Sequence, residues 1–230
     1  MSTIADNRPP HSKPVSSRIA NKVWREVSRP VRQLSRRIHR EPVAIAAAPA
    51  QAAAPVYQQP VFDPKIATIE PEAIPFVQRL VRESRQYPGP IIEIGTLLGV
   101  TTTHMALAKA PEQKIITVDI YCWNPWGVTP EIHEAHTKQQ LHYLVETGHV
   151  ERVRMDKDEF FAKYRGPAPA MVFLDAMHDY ENTKLDIEWA QRVGAKIISG
   201  HDYCDLHPGV IQIVDELGGP RELGGSVWVL

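Results

Sequence analysis

From residue 71 onward the chain alternates two hydrophobic patterns. Short apolar runs at 91–94 (IIEI), 114–120 (KIITVDI), 150–155, 171–174 (MVFL) and 195–203 (AKIISGHDY) read as buried strands. Between them, apolar residues return every third or fourth position, the repeat of a helix with one covered face. In 71–87, Ile74, Val77, Leu80 and Val81 share such a face. A second helix starts at Val100, 130–147 predicts one continuous helix, and DEFFAKYRG predicts a short one. Leu185, Trp189 and Val193 mark another helical face, 210–217 the last helix, and the terminal GGSVWVL a closing hairpin. Strands alternating with helices predict an α/β fold, a doubly wound and mostly parallel sheet.

The first 61 residues break this pattern, so the folded body is expected over 62–230. Residues 42–61 form an Ala/Pro-rich linker without packing periodicity. Within 1–41, Ile19, Val23, Val27, Val31, Leu34 and Ile38 recur at helical steps among arginines, as in a basic amphipathic helix interrupted near Pro30. Four readings stay open for this arm: a membrane-surface anchor, a docking helix for a protein partner through residues 15–41, an organelle transit peptide, or a solvated disordered arm. The net charge of −1 hides an asymmetry: residues 1–41 hold ten Lys/Arg against three Asp/Glu, and 42–230 hold sixteen against twenty-four. An acidic body argues against a nucleic-acid-binding core. Cys122 and Cys204 are the only cysteines and have no metal or redox spacing, which favours a reducing cytoplasm.

Polar chemistry concentrates where strands end. The run 91–94 passes through Gly95, Thr96, Leu97 and Leu98 to Gly99 and then turns helical. Gly95 permits a sharp turn, Gly99 opens the helix, and the unpaired N–H groups there, with Thr101, Thr102 and Thr103, suit a polar cofactor. A dinucleotide turn would carry G-x-G-x-x-G; here there are two glycines four residues apart and no Tyr-x-x-x-Lys pattern, which counts against a NAD-linked oxidoreductase. Asp119 ends the second strand, where it would meet a ribose diol or else cap a turn. The loop 121–130 carries Tyr121, Trp123 and Trp126, either a wall for an apolar acceptor or packing on the core. His133 and His136 form either a metal-binding pair or, more simply, a polar helix face.

Two successive strands finish in Asp175 and in Gly200-His201-Asp202-Tyr203. Neighbouring parallel strands lie ~4.8 Å apart, so the two carboxylates would share one crevice edge and repel unless a cation or proton sits between them. A hard divalent ion such as Mg²⁺ answers that.

EIGTLLGVTT, VFLDAMHDYENTKLDIEWA and IISGHDYCDLHPGVIQIVDELGG, closed by SVWVL, resemble successive blocks of class I S-adenosylmethionine-dependent methyltransferases. Within these they resemble the group with an "IDGDHSYE"-like fourth strand and a "GHDY"-like fifth, related to catechol-type and macrolide and aminocoumarin O-methyltransferases. The likeness spans residues 71–230. It implies a Rossmann-like, seven-stranded sheet in the order 3-2-1-4-5-7-6 and methylation of a small-molecule hydroxyl on a sugar, phenol or secondary metabolite. It also implies roles for particular residues. Glu93, Gly95 and Gly99, with Thr96 and Thr101 beside them, would line the methionine end of S-adenosylmethionine; Asp119 would hold its ribose and Asp156 its adenine. Asp175, His201 and Asp202 would bind the metal. His178 stands where catechol-type enzymes carry a catalytic lysine; it would act as general base, with fourth ligand or helix cap as alternatives. In the implied order the strands before Cys122 and Cys204 are three places apart, roughly 14 Å, so both should be free thiols. Rival readings are a scaffold that kept the fold and lost the reaction, and relatives linked to cephalosporin hydroxylation. Whether the chain forms homo-oligomers stays open.

Overall fold

The computed structural model describes residues 68–230; the expected basic arm (1–41) and Ala/Pro-rich linker (42–61) lie outside the described residues. The elements follow as α1 (Ile74–Ser84), β1 (Ile91–Ile94), α2 (Val100–Ala108), β2 (Ile115–Asp119), α3 (Pro130–Gln140), α4 (His142–Glu146), β3 (Val150–Arg154) and α5 (Lys157–Lys163). The second half runs β4 (Met171–Leu174), α6 (Tyr180–Arg192), β5 (Ile198–Gly200), α7 (Pro208–Glu216), β6 (Glu222–Gly224) and β7 (Val227–Val229). The seven strands form one sheet in the order β3-β2-β1-β4-β5-β7-β6. All pairs from β3 to β5 are parallel; β7 inserts antiparallel between β5 and β6, so the expected closing hairpin is present.

Side-chain alternation along each strand sorts the core into two layers. Ile91, Ile115, Met171 and Phe173 face the side covered by α1, α2 and α4, where Val77, Leu80, Val81 and Met105 pack. Ile92, Ile94, Val118, Val172 and Leu174 face the other side, against Phe160 of α5, Ile187 and Trp189 of α6, and Val210, Ile213 and Val214 of α7. Both faces are dry, which is why β1 and β4 read as continuous apolar runs rather than alternating ones.

The expected helix over 130–147 is two helices. Leu141, at φ −93° and ψ 2°, breaks it, because its fully buried side chain packs against Gly99. The break lets His133, Thr137 and Leu141, one turn apart, press on the turn after β1 while Leu144 and Val145 reach the core. On α6, Trp189 is buried as expected but Leu185 is half exposed, so the covered stripe runs instead through Thr183, Asp186, Ile187, Trp189 and Ala190. Cys122 and Cys204 are free. Among the described residues no helix is long and apolar enough to cross a membrane.

Candidate active site

The order of the sheet fixes where a ligand belongs. The chain leaves β1 toward β2 and β3, then returns to β4 and β5 on the other side, so the helices diverge beside the carboxyl ends of β1 and β4. Five strand ends meet on this edge, carrying Asp156 after β3, Asp119 on β2, Gly95 after β1, Asp175 after β4, and His201 and Asp202 after β5.

The turn after β1 is held from both sides. Gly95 has φ +97°, and a Cβ placed on it would lie 2.1 Å from the Asp175 carbonyl oxygen, so the absent side chain lets the tips of β1 and β4 touch. Asp119 Oδ2 accepts from Thr96 N (2.9 Å) and Leu97 N (2.8 Å), and Oδ1 from Tyr121 N (2.7 Å). Its first task is therefore to clamp the turn to β2; a carboxylate has about four acceptor positions, so capacity for a ribose hydroxyl remains. Leu97 is forced to φ +44°, and its carbonyl accepts from Thr137 Oγ1 (2.5 Å) and lies 3.0 Å from His133 Nε2. His133 is thus fully buried and packed edge-on against Tyr121, not on an exposed polar face. Gly99 is buried under Leu141.

Glu93 is placed differently from the expected ligand-lining residue. It lies in register with Thr117 on the face covered by α2, is fully buried, and accepts through Oε2 from Thr102 Oγ1 and, at 2.5 Å, from Thr117 Oγ1, while Oε1 has no partner. Burial pushes its pKa up to about 8 against those hydroxyl donors, so it carries a proton at neutral pH and ties β1, β2 and α2 together. Other expected hydroxyl donors are engaged internally: Thr96 Oγ1 pairs with Thr117 Oγ1 at 2.5 Å and Thr103 donates to the Gly99 carbonyl; Thr101 is buried. Asp156 is exposed and caps α5, accepting from Asp158 N (2.9 Å) and Glu159 N (3.4 Å).

Beyond β4 and β5 the expected residues come together. His178 Nδ1 lies 3.0 Å from Asp202 Oδ2 and its Nε2 3.6 Å from Asp175 Oδ1; His201 Nδ1 lies 3.4 Å from Asp175 Oδ1 and 3.5 Å from Asp202 Oδ1. Asp202 sits at φ +61°, the backbone bend that turns its carboxylate back toward β4. Burial works against charge on Asp175, but His201 and His178 outweigh it and hold its pKa down to about 2. Burial likewise disfavours a charged His201, yet Asp175, Asp202 and Glu70 pull it up to about 10; burial also works against a charged His178, but Asp175 and Asp202 raise it. Asp175, His201 and Asp202 each offer one ligand atom, all within 4.8 Å of one another. The two carboxylate oxygens and one imidazole nitrogen fit a divalent ion. The buried His178 Nε2, without a hydrogen-bond partner, borders the same space.

Three participants escaped the sequence reading. His207 Nε2 lies 3.6 Å from Asp202 Oδ2, and its ring meets His178 edge-on at 4.5 Å; it belongs to the quoted block GHDYCDLHPGV, where a histidine five residues past the aspartate was the available signal. Glu70 reaches His201 and Ser226 reaches Glu70, from opposite ends of the described chain, and no local pattern marks either.

Residues 92–203 match a family described as a methyltransferase domain. No curated protein matches the sequence. Among solved structures, the O-methyltransferase TomG from Streptomyces achromogenes, in complex with S-adenosylmethionine, is 19% identical with a TM-score of 0.51, over 66% of this chain and 70% of that one. An O-methyltransferase from Bacillus cereus in complex with S-adenosylhomocysteine is 17% identical with a TM-score of 0.51, over 87% and 85%. A methyltransferase from Geobacter sulfurreducens is 17% identical with a TM-score of 0.54, over 94% and 95%. At these identities the likeness speaks for the fold.

Proposed function

We propose, from the match of residues 92–203 to a methyltransferase-domain family, that the chain moves a methyl group from S-adenosylmethionine to a hydroxyl oxygen of a small molecule, with a divalent ion at Asp175, His201 and Asp202. The observation that carries this reading is the meeting of those three residues with His178 at the ends of β4 and β5, beside the glycine turn of β1. S-adenosylmethionine, when bound, supplies an electrophilic methyl on a sulfonium. A bound ion would lower the pKa of an acceptor hydroxyl. The imidazole in the donor set suits Mn²⁺, Fe²⁺, Co²⁺ or Zn²⁺ better than the Mg²⁺ expected from two carboxylates alone.

The chain's own residues do the rest by position. His178 accepts the proton of the acceptor hydroxyl at Nε2, the ring nitrogen without a hydrogen-bond partner, and Asp175 and Asp202 stabilise the imidazolium that forms. A bound S-adenosylmethionine would give its methyl to the freed oxygen, forming the O–CH₃ bond, and would leave as a neutral thioether. Asp119, Leu97 and Gly95 keep the β1 turn against β2 and β4, so donor and acceptor keep a fixed separation. Met177 and Leu206, half or more exposed on the loops after β4 and β5, and Trp123 after β2 give this edge an apolar rim, suited to an acceptor with a ring or hydrocarbon body.

The test is calorimetry with S-adenosylmethionine, followed by a panel of hydroxylated small molecules scored for S-adenosylhomocysteine. Asp175→Ala and Asp202→Ala should bind S-adenosylmethionine nearly as the parent does and release no S-adenosylhomocysteine. No heat at high micromolar S-adenosylmethionine would overturn the enzyme reading in favour of a scaffold; full turnover by both variants in EDTA would remove the ion.

A further inference from the structure

Glu70 and Ser226 lie outside the segment that matches the methyltransferase family, yet Glu70 meets one side chain of the site and Ser226 holds Glu70. His201 is 8% exposed. Its Nε2 lies 2.8 Å from Glu70 Oε2, while Glu70 Oε1 accepts from Ser226 Oγ at 2.9 Å. The opposite ring nitrogen, Nδ1, faces Asp175 and Asp202. The backbone of the same residue is fixed as well: its N–H donates to the Leu174 carbonyl (3.1 Å) and its carbonyl accepts from Trp228 Nε1 (3.0 Å).

An imidazole with one nitrogen on a carboxylate and the other on a donor cluster has its ring plane and tautomer set from behind. We propose that Glu70 is a positioning residue for His201: by accepting the Nε2 proton it fixes the ring with Nδ1 toward the Asp175–Asp202 pair, so that Nδ1 is the nitrogen an ion there would take, and Ser226 holds Glu70 in place. The segment ahead of α1 and the β6–β7 hairpin thereby act on the site without touching a ligand. An exposed ion pair contributes only ~0–1 kcal/mol to stability, so the half-exposed Glu70 would be a weak structural brace. Its value lies in the buried ring it orients. Glu70 is not itself a ligand, because its carboxylate sits on the Nε2 side of the ring and the paired carboxylates on the Nδ1 side. This inference rests on the proposal of a divalent ion at Asp175, His201 and Asp202.

The experiment titrates Mn²⁺ by calorimetry into the full chain and into Glu70→Ala, Glu70→Gln, Ser226→Ala and Asp202→Ala, with metal-free thermal unfolding as the check on folding. Glu70→Ala should weaken Mn²⁺ binding about 10- to 100-fold. Glu70→Gln, which keeps an acceptor oxygen, should recover most of that, Ser226→Ala should lose less, and Asp202→Ala should abolish binding. An unchanged Kd in Glu70→Ala, beside lost binding in Asp202→Ala, overturns the positioning role. If the parent binds no Mn²⁺, the ion proposal fails by itself, and the His201 Nε2–H proton resonance decides the rest. That signal should be protected from exchange in the parent and lost in Glu70→Ala; equal protection in both overturns the role.

Discussion

Gly95→Ala tests the contact on which the active edge depends. Gly95 N donates to the Val118 carbonyl on β2, and Asp175 N donates to the Ile94 carbonyl, so the residue is fixed between two strands. A new Cβ would lie 2.1 Å from the Asp175 carbonyl oxygen, 2.6 Å from its carbon and 3.0 Å from Ala176 N. All three are backbone atoms, so no side chain can swing aside, and the tip of β4 must retreat by about 1 Å in an interior packed to crystal density. Holding alanine at φ +97° costs roughly 1–3 kcal/mol, and forcing atoms into a filled space about as much again. Gly148→Ala separates the two effects: Gly148 also has positive φ, +75°, but nothing lies within 4 Å of its Cβ position.

Urea unfolding of both variants should show Gly95→Ala less stable than Gly148→Ala by about 1–3 kcal/mol. Because the residue pushed is Asp175, Gly95→Ala should also weaken Mn²⁺ binding while Gly148→Ala leaves it unchanged. Equal destabilisation within ~0.5 kcal/mol, with equal Mn²⁺ affinity, would refute the claim that Gly95 sets the spacing of β1 and β4.

Three further outcomes follow from the same geometry. Glu93 has its pKa raised in the folded state to about 8, so the stability it contributes is fully present below its unfolded value and is lost as pH rises through 8. Urea unfolding from pH 5.5 to 7.5 should show the parent losing about 1.4 kcal/mol per pH unit relative to Glu93→Gln; parallel curves would mean that Glu93 is ionised in the folded protein. Leu141→Ala removes the side chain that covers Gly99 and should cost about 2–5 kcal/mol by calorimetric unfolding, whereas truncation of the exposed Tyr143 should stay within ~0.5 kcal/mol. Mn²⁺ at 100 times its Kd should stabilise the parent by about 2.7 kcal/mol and leave Asp202→Ala unmoved; an equal rise in both would place the ion elsewhere.

The fold was legible where local period and global burial agree. IIEI and MVFL read as strands because a parallel sheet with two dry faces demands unbroken apolar runs, and Ile74, Val77, Leu80 and Val81 read as a helix face because nothing competes for those side chains. The meeting of Asp175, His178, His201 and Asp202 was legible for a related reason: each follows a buried strand, and adjacent parallel strands bring their ends to one edge. What sequence left open involves contacts to groups that it does not mark. His133 looked like part of a polar face, but its partner is the Leu97 backbone carbonyl, which exists as an acceptor only after the turn has adopted its positive-φ conformation. Glu93 was expected at the cofactor from the family resemblance; side-chain parity puts it on the face of Ile91 and Thr117, under α2. A carboxyl sealed there with its hydroxyl partners is a structural acid, and the polar work of the site passes to Asp119, which clamps the turn, and to the cluster beyond β4 and β5. Glu70 shows the limit most directly. It lies 131 residues from His201, and only the assembled sheet brings the segment ahead of α1 and the final hairpin together beside that imidazole, so the groups that orient the site can be found only after the fold is known.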